Sequence, residues 1–400
     1  MSISLARAGA VAICVFLSLG CGSGASERSV GGNSGIGTGG GGVGGGASKA
    51  SGGAGGGSHV LTGAIAVASG AYHTCVLLTS GAVACWGDGV VDSSSPLLTP
   101  RLIEGLSGVT AIAAGANGFH TCALLTDGTV RCWGHNGAGQ LGNGASTGWS
   151  YVPVQVVGLT DVVAISAGEF YSCALSRNGT VKCWGMAPLG DGTLNNSALP
   201  VAVSGVVDAT AISAGAGSAC VIVANGSVRC WGLNVYGELG NGSKTDSNSP
   251  VEVTGLSGVM RMSVSDDGGC AILPGGGVKC WGHNARGHLG NGTKVDSLVP
   301  VDVPGLAGVT QISGTCALLD TGTVQCWGPF IVSLLDIRYL LVPTAVTGIS
   351  GVTSVSSNSG VNCAVVANGE VHCWGFSPPA GLLGNGSMNG SSVPVPVSAL

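Results

Sequence analysis

Cysteine is the most regularly placed reactive residue in this 400-residue chain, and a thiol can crosslink, hold a metal or act as a nucleophile. Fourteen of the sixteen cysteines form seven pairs ten residues apart: Cys75 with Cys85, Cys122 with Cys132, Cys173 with Cys183, Cys220 with Cys230, Cys270 with Cys280, Cys316 with Cys326 and Cys363 with Cys373. One residue past the midpoint of every pair is a glycine: Gly81, Gly128, Gly179, Gly226, Gly276, Gly322 and Gly369. Glycine there can take the left-handed backbone that closes a three-residue hairpin loop with a bulge. In that register the two cysteines face each other, about 4.5 to 5.5 Å apart as a non-hydrogen-bonded pair, and one disulfide per hairpin is predicted. Zinc is the rival chemistry, but the pairs are too far apart in sequence for thiolate knuckles, so neither metal nor cofactor is expected.

The remaining reactive side chains read as repeat positions. His73 and His120 precede Thr-Cys, yet Tyr171 and Ser218 occupy the same place in the next two copies. A general acid or base would be one residue at one place, so these positions are expected to hydrogen-bond a loop and no catalytic residue is assigned. His135 and His283 follow Cys-Trp-Gly in two copies and read the same way. Leu-Gly-Asn-Gly, as at Leu141 to Gly144 and Leu289 to Gly292, lacks the helix and Lys-Ser/Thr of a phosphate cradle and is read as a turn. The Asn-Gly-Ser/Thr sequons at Asn178, Asn225, Asn241, Asn291 and Asn385 are read as turn chemistry.

The elements that carry these residues repeat. The Trp of Cys-Trp-Gly stands at 86, 133, 184, 231, 281, 327 and 374, spaced 46 to 51 residues apart, which marks seven units. The clearest unit, Val109 to Val157, holds an apolar run (Val109 to Ala113), a glycine-containing loop, a second run (Cys122 to Leu125), a turn, a third (Val130 to Trp133), a long loop and a fourth (Val152 to Val156). Four short strands per unit is a propeller blade. The order of Ala-Gly, His-Thr, Asp-Gly, Trp-Gly, Asn and Gly-Gln-Leu-Gly in this unit resembles the regulator-of-chromosome-condensation repeat, from Val60 to the C-terminus.

That resemblance implies an all-β fold, a seven-bladed β-propeller of four-stranded antiparallel blades, and the hairpin register adds one disulfide per blade. The ring is expected to close by pairing of the N-terminal strand (Ala64 to Ala68) with the C-terminal one (Ser392 to Leu400) in a single blade. The seven tryptophans are expected as core wedges between blades. The family's prototype exchanges nucleotide on a small GTPase with a basic tail and a projecting wedge; this chain has neither, and exchange is not expected. Tryptophan-arginine pentapeptides of the related plant photoreceptors are also missing. Asp127 to Trp133 resembles the Asp-box of sialidase propellers, but Arg131 and Arg229 hold equivalent places in different units and cannot converge on one substrate. A sialidase-like enzyme is therefore only a remote alternative. The repeat is also similar to that of the propeller-type inhibitors of β-lactamases, which implies protein binding through aromatic loops on one face.

A net charge of -5 without a Lys/Arg cluster leaves no footprint for nucleic acid. Residues 1-20, with Arg7 ahead of the apolar run Ala8 to Leu19, read as an export signal too short to span a bilayer. Leu17-Ser18-Leu19-Gly20-Cys21 resembles a lipobox with Cys21 as the lipidated residue, although Ser18 departs from the usual aliphatic. Residues 21-59 are rich in Gly, Ser and Ala and read as a flexible tether, with the propeller at 60-400. The expectation is a monomeric, outer-membrane or surface lipoprotein, touching the membrane through its lipid only and binding an envelope or extracellular protein; periplasmic or secreted location and a carbohydrate or peptidoglycan ligand are the alternatives. The ligand-facing residues are expected to be Tyr72, His73, Phe119, His120, Trp149, Phe170 and Tyr171, with Tyr72, Phe119, Phe170 and Tyr171 forming one patch. In the sixth unit Pro329 to Leu341 replaces the Leu-Gly-Asn-Gly loop with apolar residues, expected to pack rather than lie exposed.

Overall fold

Short apolar runs punctuated by glycine turns leave the chain one economical arrangement, an antiparallel meander, and that is what every repeat adopts. The computed structural model describes residues 60–89, 96–333, 336–358, 360–376 and 380–400; the expected signal, Cys21 and the tether lie outside them. Seven four-stranded antiparallel sheets occupy 64–102, 109–155, 162–202, 209–252, 261–302, 309–345 and 352–396, each built from consecutive strands, and they are numbered here as blades 1 to 7. Blade 2 runs Val109–Ala114, His120–Leu125, Val130–His135 and Trp149–Gln155. First strands of neighbouring blades touch one another all the way round, so they form the hub.

The hairpin argument holds in all seven blades. Gly128 takes φ of 75° and its N–H donates to the Leu125 carbonyl, closing the turn between the second and third strands of blade 2. Cys122 then stands opposite Cys132, and the two are bonded. The same register bonds Cys75 to Cys85 in blade 1, Cys173 to Cys183 in blade 3 and Cys220 to Cys230 in blade 4. It also bonds Cys270 to Cys280 in blade 5, Cys316 to Cys326 in blade 6 and Cys363 to Cys373 in blade 7. All seven predicted disulfides are therefore present, but their Cα atoms stand only 4.0 to 4.1 Å apart, closer than the expected 4.5 to 5.5 Å, because the crosslink draws the non-hydrogen-bonded pair together.

Each repeat tryptophan is at most 2% exposed and inserts into the preceding blade. Trp133 of blade 2 packs among Leu77, Val83 and Ile103 of blade 1, and Trp231 of blade 4 among Leu175, Val181 and Leu189 of blade 3. Four of the indoles donate to a carbonyl across their seam, as Trp184 does to Gln140 at 2.8 Å. Polar stitches run beside the tryptophans. In blades 3 to 7 a serine of the first strand (Ser166, Ser213, Ser263, Ser313, Ser356) accepts a backbone N–H of the next blade at 2.9 to 3.1 Å. Blades 1 and 2 carry Ala68 and Ala113 at the matching register, and there histidines do the joining. His73 Nε2 lies 2.7 Å from Thr121 Oγ1 of blade 2, and His120 Nε2 lies 2.8 Å from Ser172 Oγ of blade 3.

Ring closure differs from the expectation. The N-terminal strand Ala64–Ser69 and the C-terminal strand Ser391–Pro396 belong to different sheets, blades 1 and 7. Each blade already has four consecutive strands, so none needs a strand from the other end of the chain. The ring instead closes as its other seams do: Trp86 packs among Val361, Val371 and Leu383 of blade 7. Among the described residues, a short bridge between Val60 and Ser398 and the Leu61 N–H to Val397 carbonyl bond at 2.9 Å tie the two ends directly, and the Ala64 N–H donates to the Gly369 carbonyl of blade 7 at 3.0 Å.

In blade 6 the third and fourth strands, Val324–Ser333 and Asp336–Ala345, extend into a long hairpin where the other blades have their turn. One face of it packs, since Phe330 lies against the core between blades 6 and 7, while Tyr339, opposite Pro329 on the alternate face, is 42% exposed beneath the Lys294 ammonium. Leu334 lies outside the described residues.

Candidate functional site

Two connections in every blade reach the same end of the ring, because strands one to four alternate in direction. The first carries Tyr72, Phe119 or Phe170 just before the second strand; the other lies between the third and fourth strands and in blade 2 is bounded by His135 and Trp149. Glycine of Cys-Trp-Gly brings the two together. At Gly134, with φ of 105°, a Cβ would run into the carbonyl oxygen of Phe119, and the next amide, His135 N–H, donates to that same oxygen at 2.9 Å.

The result is one connected set of six rings on blades 1 to 3. Tyr72 and Phe119 stack with centroids 4.3 Å apart and planes 6° from parallel. Phe119 meets Trp149 edge-on at 5.7 Å, and Trp149 stacks on Tyr151 at 6.0 Å. His135 meets Trp149 at 5.1 Å and Phe170 at 6.2 Å. Gly89 of blade 1 makes room for the Trp149 ring, whose Cζ3 would stand 2.7 Å from a Cβ placed there. Tyr72 and Trp149 remain 39% and 40% exposed, and Phe119, Phe170 and Tyr151 are half-buried. Partial burial lowers the His135 pKa, favouring the neutral ring.

Of the seven residues expected to face a ligand, Tyr72, Phe119, Trp149 and Phe170 lie in this patch, whereas His73, His120 and Tyr171 do not. The two histidines are 1% exposed and Tyr171 is 4% exposed. They begin the second strand, one residue beyond the loop tip, and point into the seam with the following blade. Tyr171 donates to the carbonyls of Gly215 and Ser218 of blade 4, at 3.1 and 2.7 Å. Burial lowers the His73 pKa to about 4, and burial with the nearby His73 and His135 lowers that of His120 to about 3. Burial pushes the Tyr171 phenol upward. The patch gains His135 and Tyr151 instead. Strand alternation was the available signal, since the first and third connections of a meander must share an end.

A second cluster sits at the same end of blade 5, at positions equivalent to three in blade 2. Asp267 replaces Phe119, His283 stands where His135 does, and His288 replaces Gln140. Asp267 Oδ1 is 2.7 Å from His283 Nδ1, and its Oδ2 is 3.2 Å from His288 Nε2. The hydrogen bond that His283 donates to Asp267 raises the His283 pKa, whereas burial lowers that of His288. Among the described residues this is the one group with spacing suited to a metal ion.

Two sequence profiles, both described as the regulator of chromosome condensation (RCC1) repeat, match residues 64–91, 109–140 and 209–238, and residues 127–175, 225–272 and 276–316, together half of the chain. No curated protein matches this sequence. Among solved structures the chain is similar to Prp20p from Saccharomyces cerevisiae, at 20% identity and a TM-score of 0.67 over 85% of this chain and 88% of that one. It is also similar to yeast RCC1 (Prp20) in its complex with Kap60, at 21% identity and a TM-score of 0.66 over 76% and 78%. Human WBSCR16 matches at 20% identity and a TM-score of 0.66 over 76% and 85%. Such likenesses carry the fold, and the profile at 127–175 shows its phasing, because that match takes the last two strands of blade 2 and the first two of blade 3. By its profile matches, its seven blades and its seven inter-blade tryptophans, the chain belongs to the regulator of chromosome condensation repeat family.

Proposed function

We propose that this protein is an exported, lipid-anchored propeller that captures a protein partner at the cell envelope through the aromatic face of blades 1 to 3. The observation that carries the reading is the six-ring cluster, which leaves Tyr72 and Trp149 exposed on an otherwise rigid disc. Aromatic side chains clustered at one place are the usual anchors of a protein interface. Members of the family serve as binding scaffolds: the yeast relative Prp20 is described with Kap60 bound, and by its binding to Gsp1p and histones. The leader sequence and Cys21 support export and anchoring, and disulfides in all seven blades suit an oxidising compartment.

A carbohydrate would be recognised mainly through open ring faces. Tyr72 with Phe119, and Trp149 with Tyr151, each spend one face of both rings on the other, which favours a protein over a sugar. Crosslinking of the protein to envelope extract, with mass-spectrometric identification, tests the reading against Phe119→Ala and Trp149→Ala variants. A partner recovered with the wild type and lost from both variants is expected. A partner captured equally by folded variants would move the site elsewhere, and saturable glycan binding without a protein partner would replace the reading.

A further inference from the structure

Blade 5 carries a donor set found in no other blade. Across the repeats, the residue before the second strand, the residue after Cys-Trp-Gly and the residue before the buried Leu of Leu-Gly are Phe119, His135 and Gln140 in blade 2, and Gly217, Leu233 and Glu238 in blade 4. In blade 5 the same three places hold Asp267, His283 and His288. The fold therefore brings together one carboxylate and two imidazoles, with the candidate ligand atoms all within 4.8 Å of one another.

The surroundings fix those atoms. His283 N–H donates to the Asp267 carbonyl, its ring lies 4.3 Å from the Tyr236 ring, and its Nδ1 is turned toward Asp267. The His288 backbone carbonyl accepts the Trp327 indole N–H across the seam, which holds its residue in place while the side chain aims Nε2 at Asp267. His288 Nδ1 is buried with no partner among the described residues. A small cleft with room for about one water molecule opens beside Asp267 and His288, bordered by Gly268, Gly314 and Thr315.

We propose that Asp267, His283 and His288 form a binding site for one divalent first-row transition-metal ion of the zinc class. Two imidazoles and one carboxylate are a borderline-soft donor set that suits zinc, copper or nickel and not calcium or magnesium, which take oxygen ligands. Ligands about 2.0 to 2.1 Å from a tetrahedral zinc are separated by roughly 3.3 Å, close to the 3.2 Å between Asp267 and His288 and wider than the 2.7 Å between Asp267 and His283, which would part on binding. Metal binding would replace the His283–Asp267 hydrogen bond and the His288–Asp267 contact with three coordinate bonds and leave the fourth position facing the cleft. The cysteines do not compete, because all fourteen in the ring are in disulfides.

Zinc titrated into the full-length, untagged, oxidised protein without reductant, followed by calorimetry and by metal analysis after dialysis, tests the site. Two substitutions copy residues that other blades use at these positions, His288→Gln after Gln140 and His283→Leu after Leu233, so the fold should tolerate them. His372→Gln serves as the control, since His372 pairs with Glu370 in blade 7. One zinc per chain is expected, with affinity reduced at least tenfold in both blade 5 variants, unchanged in the control, and a melting temperature raised by zinc only where the site is intact. Absence of saturable zinc binding in the wild type overturns the proposal. Equal affinity in both blade 5 variants also overturns it, provided their unfolding without metal matches the wild type.

Discussion

At the scale of single residues, the buried histidines of blades 1 and 2 tie stability to pH. His73 and His120 are neutral in the folded protein, with pKa values near 4 and 3 against 6.5 in an unfolded chain. A depressed folded-state histidine pKa means the unfolded chain binds protons first as pH falls. Their stabilising contribution is therefore complete above about pH 6.5 and is lost as pH drops through the window down to about 4 and then 3. For His73 the full loss is on the order of 3 kcal/mol. Denaturant midpoints of the wild type should fall between pH 6.5 and 4, and those of a double variant, His73→Gln with His120→Gln, should fall less. Parallel profiles would mean that other groups carry the acid sensitivity. The exchange of serine stitches for histidine ones was invisible in a single repeat, because Ala68 and Ala113 read as ordinary strand residues until the seams they face are known.

At the scale of the element, the hairpins were readable because one local rule governs each of them. A ten-residue cysteine spacing with glycine one past its centre admits one register, and all seven pairs follow it. Closing such a loop stabilises by roughly 3 kcal/mol in the chain-entropy model. A double variant, Cys220→Ser with Cys230→Ser, should lose about that much in chemical denaturation, and an unchanged midpoint would show that the blade does not rely on its crosslink. The aromatic loops were readable as positions but not in direction. A one-residue step along a strand reverses the side chain, so Phe170 reaches the patch while Tyr171 enters the seam with blade 4. In the blade 6 hairpin the apolar residues divide the same way. Phe330 packs on the core between blades 6 and 7, so Phe330→Ser should lower the melting temperature, whereas Tyr339→Ser, at a site 42% exposed, should change it little. Equal losses would mean that the exposed face of the hairpin is also structural.

For the whole molecule, the seam between blades 7 and 1 differs from the other six in connectivity. Elsewhere the chain passes directly from one blade into the next; here only side-chain packing, a few hydrogen bonds and the Val60–Ser398 bridge join its ends. Sequence order alone suggests that the two terminal strands share a blade, because repeats can be cut into blades at any phase and the phase is set by which strands find partners. Four strands at each end already complete a blade, so the termini carry no strand to exchange. The closing seam therefore rests on Trp86, on the Ser356 hydroxyl accepting from Ser69 N–H at 2.9 Å, and on Asn358 donating to the Ser69 carbonyl at 3.1 Å. Truncating a buried tryptophan to alanine costs about 3 to 5 kcal/mol at either an internal or the closing seam. The local consequences should differ between the two. In Trp231→Ala the neighbouring blades stay tethered by the chain across the cavity, so exchange should rise only around blades 3 and 4. In Trp86→Ala the ring can open as a unit, so the amide of Leu61, which donates to the Val397 carbonyl across the seam, should lose protection together with those of Ser69 and Ala64. Native-state hydrogen exchange on the two variants reads this directly. If both show the same local pattern, or if Leu61 stays protected in Trp86→Ala, the seam between blades 7 and 1 is no weaker than the rest, and the terminal contacts hold the ring more firmly than their number suggests.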